Sequence, residues 1–141
     1  TAATLRRERE RLAIALRTGG LGVYEWRVGA PTVWWSPEMF PLFGLDPDSG
    51  PLTVQAFDAL IHPDDRALLW RKTEESIARR EIFRHEYRIV RADGVVRWMF
   101  NQSQIGFDAE GKVERITGVA SDITERKEAE EAQRALESAL K

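Results

Sequence analysis

Phe83-Arg-His-Glu-Tyr-Arg-Ile-Val90, Ala92-Asp93-Gly94 and Val95-Val-Arg-Trp-Met-Phe100 make up the stretch on which the fold turns. The first run alternates large apolar with charged side chains, the period of a strand with one buried face. Asp-Gly between two such runs marks a hairpin, because glycine takes φ > 0 without steric cost. The return strand extends to Gly106-Phe107. A second turn, Asp108-Ala-Glu-Gly111, leads into Val113-Glu-Arg-Ile-Thr-Gly-Val-Ala120, and the strand ends at Ser121-Asp-Ile-Thr124, where a charged helix begins. Residues 84–124 therefore read as three consecutive strands. Which face of each strand turns inward stays open, since a slip of one residue reverses every side chain.

Working outward, the spacing predicts a helix over Thr4–Arg17, stopped by Gly19-Gly20. Leu12, Ile14, Ala15 and Leu16 make its second half apolar over more than one face, so it reads as a solvated lead-in that becomes a docking helix. Residues 1–18 carry five Arg and two Glu, a local charge of +3. Glu interleaves with the basic residues and no aromatic side chain is available for base stacking, which favours a solvated helix over a nucleic-acid arm. Leu21–Val28 and Val33–Trp35 read as two strands. Ser36-Pro37 opens a short helix, with Ser36 as its cap and Pro37 in its first position, and Pro41 limits it to about a turn. Asp46–Pro51 is a loop on composition. Thr53 caps another short helix whose apolar side is Phe57, Leu60 and Ile61.

His62-Pro-Asp-Asp65 starts the longest internal helix, to about Arg79. Pro63 loses no needed N–H there, and Asp64 and Asp65 face the positive end of the helix dipole. Leu69, Trp70, Thr73 and Ile77 recur at helical spacing and are expected against the sheet. The last helix, Glu125 to Leu140, has no breaker. Asp122 and Glu125 have capping-box spacing, with Thr124 as an alternative cap. Ala129, Ala132, Leu136 and Leu140 fall at alternating three- and four-residue steps, a short coiled-coil seam of about two heptads. Glu130–Arg134 and Glu137–Lys141 are expected to pair along it. An isolated solvated helix is the competing reading.

The order helix, two strands, several helices, three strands, helix describes an α+β fold with a five-stranded antiparallel sheet and helices gathered on one face. The chain divides into an N-terminal flanking helix at 1–18, a domain at 19–124 and a C-terminal linker helix at 125–141. With 141 residues, 43% hydrophobic and five Trp, it is long enough to build one core. A net charge of −2 gives no global drive toward nucleic acid or an anionic membrane. No apolar run is long enough to span a bilayer, and no signal-peptide pattern is present. Zero cysteines exclude disulfides and thiolate chemistry in this segment and fit a cytoplasmic setting. The abrupt opening and the end inside a helical pattern read as a segment of a longer protein.

Glu86-Tyr-Arg, Asp93-Gly94, Arg97-Trp98, Gly118 and Asp122-Ile-Thr-Glu-Arg-Lys127 together resemble the C-terminal half of a PAS domain, its PAC motif. The resemblance continues upstream through Leu21-Gly-x-Tyr-Glu-Trp26, Trp35-Ser-Pro-Glu38, Phe43-Gly44 and His62-Pro-Asp-Asp65, and it covers most of the chain. It implies a PAS sheet with the first and last strands central, and signalling rather than catalysis. Asp122-Ile123-Thr124 resembles the motif through which such domains pass a signal to an output linker. The implied parent is a bacterial histidine kinase of a two-component system or a cyclic-dinucleotide-metabolising enzyme, with the output domain in the same chain. Arg27 stands where the family commonly carries an acid, a departure that puts in doubt the salt bridge usual at that position.

Three functions are compatible with this background. The first is an enzyme: His62, Asp64 and Asp65 can be drawn as a metal site, but a helix start explains the same residues without one. His85, alone on a strand beside Glu86, reads as a surface or edge residue, and neither a phosphate loop nor a nucleophile–base pair is present. The second is a small-molecule sensor. Phe40, Phe43, Phe57, Leu60, Leu69, Trp70, Tyr87 and Phe100 are the candidate lining of a cavity between helices and sheet, and core packing explains the same residues. Arg88 or Arg97 could hold a small acid. The resemblance implies no photo-adduct flavin, which requires a cysteine, and it disfavours haem, since the long helix has no histidine beyond His62 at its start. The third is a ligand-free dimerising module. The reading adopted is a cytoplasmic sensory and relay module, non-catalytic in itself, homodimeric through the seam, with no nucleic-acid partner and no direct membrane contact; the cofactor is left unassigned.

Overall fold

Six strands, all antiparallel, line up in the order β3-β2-β1-β6-β5-β4. The computed structural model describes residues 1–141. In chain order its elements are α1 (Ala2–Gly19), β1 (Leu21–Arg27), β2 (Thr32–Trp35), α2 (Met39–Phe43), β3 (Leu52–Thr53), α3 (Val54–Leu60), α4 (Pro63–Arg79), β4 (Phe83–Val90), β5 (Val96–Phe107), β6 (Val113–Asp122) and α5 (Thr124–Ala139). The first and last strands lie side by side at the centre, with Tyr24 opposite Gly118. The α+β reading holds, with six strands in place of five. The extra strand, β3, pairs Thr32 with Thr53 and Val33 with Leu52, and two residues are too short to leave a period in the sequence. Thr53 serves twice, since its hydroxyl also accepts from the Ala56 N–H at 3.0 Å and caps α3.

The β4–β5 hairpin closes as its residues require. Gly94 takes φ 84°, and Asp93 accepts from the Val95 N–H at 3.0 Å. Along β4, Phe83, His85, Tyr87 and Ile89 are buried and the residues between them are not. Along β5 the inward set is Met99, Asn101 and Ser103. Trp35, Met39, Phe40, Phe43, Ile61, Leu69, Tyr87, Ile89 and Met99 pack into one core between this face and α2–α4. Gly118 has a spatial role. A Cβ there would sit 2.5 Å from the Tyr24 hydroxyl and 2.6 Å from the Gln102 carbonyl oxygen. Its absence lets Tyr24 cross β6 and share a hydrogen bond with Ser103 on β5.

Three local expectations are corrected. Ser36 does not cap α2. Its hydroxyl accepts from the Val23 N–H at 2.9 Å and its own N–H donates to the Val23 carbonyl at 2.8 Å, so it extends the β1–β2 pairing. Helix α1 is longer than predicted but scarcely docks: none of its residues is buried, and Leu12 and Ile14 are 59% and 56% exposed. Apolar residues on several faces cannot all meet one domain, and only the half-buried Ala13 and Leu16 line the cleft facing Pro37, Pro41 and Leu42. On α5 the observed i,i+4 ion pair is Arg126–Glu130 at 3.6 Å, one turn earlier than the pairs expected from spacing. No helix is long and apolar enough to cross a membrane.

Candidate functional site

Strands β1, β2, β4, β5 and β6 and helices α2, α3 and α4 line a cavity of about 70 Å³. Its wall is mainly aromatic and aliphatic: Trp26, Trp35, Phe57, Trp70 and Phe83 lie around it, with Met39, Leu69 and Ile116. The polar side chains on the wall are Tyr24, Thr73, His85 and Asn101. Several wall heteroatoms already have partners. The Trp26 indole donates to the Ala30 carbonyl at 2.9 Å, the Trp70 indole to Asp58 at 2.6 Å, and the Thr73 hydroxyl to the Leu69 carbonyl at 2.9 Å. Both His85 ring nitrogens and the Asn101 side-chain oxygen are buried without a partner, as is the Tyr87 hydroxyl in the core beside them. Burial pushes the His85 imidazole down to about 4, with the Lys72 charge adding to the effect, so the ring is neutral near pH 7. Burial likewise pushes the Tyr24 phenol up to about 12. His85 and Phe83 also line a surface hollow rimmed by Lys72, Glu75 and Arg79.

Of the residues read from sequence as lining, Phe57, Leu69 and Trp70 face the cavity. Phe40, Phe43 and Tyr87 belong to the buried cluster behind the wall, and Leu60 packs against that cluster. Phe100 lies on the opposite face of the sheet, between the inward Met99 and Asn101 and opposite Glu86. His85, read as a surface or edge residue, is only 6% exposed. Strand β4 is indeed at the sheet edge, but its inner face is covered by α4. The sequence reading missed the other wall residues, among them Tyr24, Trp26, Trp35, Met39, His85 and Asn101. The signal for three of them is strand alternation: Tyr24 and Trp26 lie on the face opposite Leu21 and Val23, and His85 shares the face of Phe83 and Tyr87, readable once the inward face is known.

Arg88 and Arg97 do not line the cavity; each is committed to a carboxylate. The Arg88 guanidinium grips Asp65 through both oxygens, at 3.1 and 2.6 Å, and its backbone N–H donates to the same carboxylate at 2.8 Å. These bonds from Arg88 hold Asp65 below the usual carboxylate range and bolt the start of α4 to β4. His62 is the helix cap expected of it, with Nδ1 accepting from the Asp64 N–H at 3.1 Å.

Arg97 instead belongs to a second polar cluster, at the exit of β6. Its Nε donates to Asp122 at 2.8 Å. The Thr124 N–H and hydroxyl donate to the other Asp122 oxygen at 2.9 and 2.6 Å. The Trp98 N–H donates to the Thr124 hydroxyl at 2.8 Å, and the Ile123 N–H to the Trp98 carbonyl at 2.9 Å. Burial works to raise the Asp122 pKa, but the bonds from Arg97 and Thr124 outweigh it and hold the carboxyl below its ordinary value. Arg91 joins this cluster to α2, donating to the Leu42 carbonyl at 2.9 Å with its guanidinium 3.7 Å from Asp122. On the outer face of the sheet, Glu86 pairs with Arg126 at 2.6 Å and with Lys127 at 2.7 Å. The Lys127 ammonium lies 4.6 Å from the Trp98 ring centroid. Ala129, Ala132, Leu136 and Leu140 on α5 are all exposed.

A family model described as PAS fold matches residues 32–120, and the chain belongs to that family. Over 125 residues it is 32% identical to the probable diguanylate cyclase DgcE of Escherichia coli (strain K12), covering 87% of this chain and 11% of the cyclase. Over 95 residues it is 36% identical to the blue-light-activated histidine kinase of Brucella anthropi, covering 67% of this chain and 18% of the kinase. The crystal structure of a sensory box histidine kinase/response regulator from Burkholderia thailandensis E264 superposes with a TM-score of 0.79 at 26% identity, covering 92% of this chain and 97% of that one. The class is thus that of PAS sensory signalling modules, and the chain spans only a small part of the curated relatives it matches.

Proposed function

We propose that this chain is the sensory and relay module of a longer signalling protein. A molecule in the cavity alters the packing of β4 and β5, and Asp122-Ile123-Thr124 passes the change into α5. The observation that carries this reading is the alternation along β4. His85 and Tyr87 face the core and cavity side, while Glu86 between them holds Arg126 and Lys127 on the other face. One short segment thus touches both the cavity wall and the first turn of the exit helix. A second link runs from Met39 on the wall through α2 to Leu42, Arg91 and Asp122.

In this reading residues 1–18 flank the domain at 19–124, and 125–141 form the linker. The module is non-catalytic, and its output domain, a histidine kinase or a cyclic-di-GMP enzyme, lies in the same parent chain. It works as a cytoplasmic homodimer, with no nucleic-acid or membrane partner. The exposed Leu136 and Leu140, 61% and 79% accessible, support pairing through the Ala129–Leu140 seam. The same exposure supports a second reading, a dimerising module that needs no ligand. A flavin photo-adduct has no place in either, because the chain lacks cysteine. At about 70 Å³ the cavity fits neither an isoalloxazine nor a porphyrin.

The test is made in the full-length parent. Lys127→Met removes one of the two ion pairs that tie Glu86 to the first turn of α5 and should change output, or its dependence on stimulus, while the domain stays folded; Asp122→Ala should do so more strongly. Output unchanged in both across stimulus conditions overturns the relay.

A further inference from the structure

The two unpartnered polar groups on the wall specify more than the presence of a ligand. We propose that the cavity takes a neutral, single-ring aromatic molecule whose edge carries a hydrogen-bond donor and an acceptor, docked on His85 and Asn101. This rests on the reading of the cavity as the sensing site.

Size sets the first limit. The cavity holds about 70 Å³, roughly half of the ~150 Å³ in which benzene is accommodated inside a protein. One ring is therefore the upper bound, reached when the flexible Met39 side chain on the wall gives way. Shape favours a flat molecule, because Trp26, Trp35, Phe57, Trp70 and Phe83 present ring faces and edges to it.

Charge sets the second limit. No Arg, Lys, Asp or Glu lies on the wall. Arg88 and Arg97, the candidates for neutralising an acid, are held by Asp65 and Asp122. A carboxylate or ammonium would enter a low-dielectric space without a counter-charge, at a cost of several kcal/mol.

The polar edge follows from the remaining chemistry. A neutral imidazole offers one N–H and one bare nitrogen, and Asn101 offers a carbonyl oxygen. A hydroxyl or an N–H/C=O pair on the ring answers these groups together. A plain hydrocarbon leaves them unsatisfied in the complex.

The test titrates phenol, toluene, benzoate and benzylammonium into the 141-residue chain and follows the indole N–H resonances of its tryptophans by NMR. The expected result is saturable binding of phenol at least about tenfold tighter than that of the other three, a difference of about 1.4 kcal/mol. His85→Phe and Asn101→Leu should each weaken phenol about tenfold and leave toluene unchanged, in variants whose indole signals keep their folded dispersion. Benzoate or benzylammonium binding as tightly as phenol overturns neutrality. Toluene matching phenol overturns the polar edge. In either case the cavity remains a binding site and only the ligand class falls. No saturable binding of any of the four overturns both this inference and the sensing site on which it rests.

Discussion

Two polar clusters share strand β5 and are finished in opposite ways. At the exit, the Asp122 carboxylate, the Thr124 hydroxyl and both backbone groups of Trp98 have partners at 2.6–2.9 Å. At the cavity, both nitrogens of His85 and the Asn101 oxygen have none. An unpaired buried polar group costs about 1–3 kcal/mol, whereas a satisfied one contributes about 1. The exit therefore holds the fold together, and the cavity wall weakens it. That division suits a module in which one end must stay rigid to transmit and the other must gain from whatever binds it.

The sharpest contrast is in acid, because the two clusters lose stability in different windows. The His85 pKa in the folded chain, about 4, lies below its ordinary 6.5. Between those values the unfolded chain binds the additional proton. Stability is thus full above pH 6.5, falls as the pH drops toward 4, and levels off below. The loss is up to about 3 kcal/mol. Asp122 behaves as a depressed carboxylate: its contribution is present above the ordinary value of 3.8 and disappears only as the pH falls through its lower folded value. Urea denaturation at stepped pH should show both phases. His85→Phe should flatten the first and Asp122→Asn should shrink the second, which the depressed Asp65 and Glu86 carboxyls share. A single phase shared by both variants would erase the distinction.

At neutral pH the same contrast predicts effects of opposite sign. Asp122→Ala strands the Thr124 hydroxyl and the Arg97 guanidinium and should cost about 2 kcal/mol. The paired substitution His85→Phe with Asn101→Leu removes unsatisfied groups and should be neutral or stabilising by up to about 1 kcal/mol. Equilibrium denaturation of the three proteins decides the matter, and a cavity variant losing as much as the exit variant would mean that the wall polar groups are structural.

The two clusters also differ in how far they can be read in the sequence. Asp122, Thr124 and Glu125 mark a helix start within four residues, so the place of the exit is legible; its bonding differs from the expected capping box, because Ile123 takes the cap position without a side-chain bond and Asp122 accepts from Thr124. Its partners are not, because Arg97 and Trp98 reach it only through β5–β6 pairing across 25 and 26 positions. The inner face of β4 can be read from Phe83, Tyr87 and Ile89. That of β5 cannot, since its outward side carries the large apolar Trp98 and Phe100 while its inward side carries Asn101 and Ser103. Placing Phe100 in the cavity follows from hydrophobicity, which points the wrong way on this strand. Gly118 stands out in the motif, yet the Tyr24 side chain that demands it lies on another strand.

The smallest effect concerns the two flanking helices, which carry the comparison to the ends of the chain. Both are charged and lack internal breakers, but α5 begins with the buried Thr124 and two ion pairs to Glu86, whereas no residue of α1 is buried. Removing residues 1–18 should therefore change stability by no more than about 0.5 kcal/mol. In the intact chain, amides of α1 should exchange with solvent far faster than those of the first turn of α5, because local opening follows the contacts that must be broken. Hydrogen exchange resolved along the chain measures both helices in one sample. Equal protection would mean that α1 is held by contacts beyond the isolated domain, and the outward-facing Leu12 and Ile14 are then the first residues to substitute.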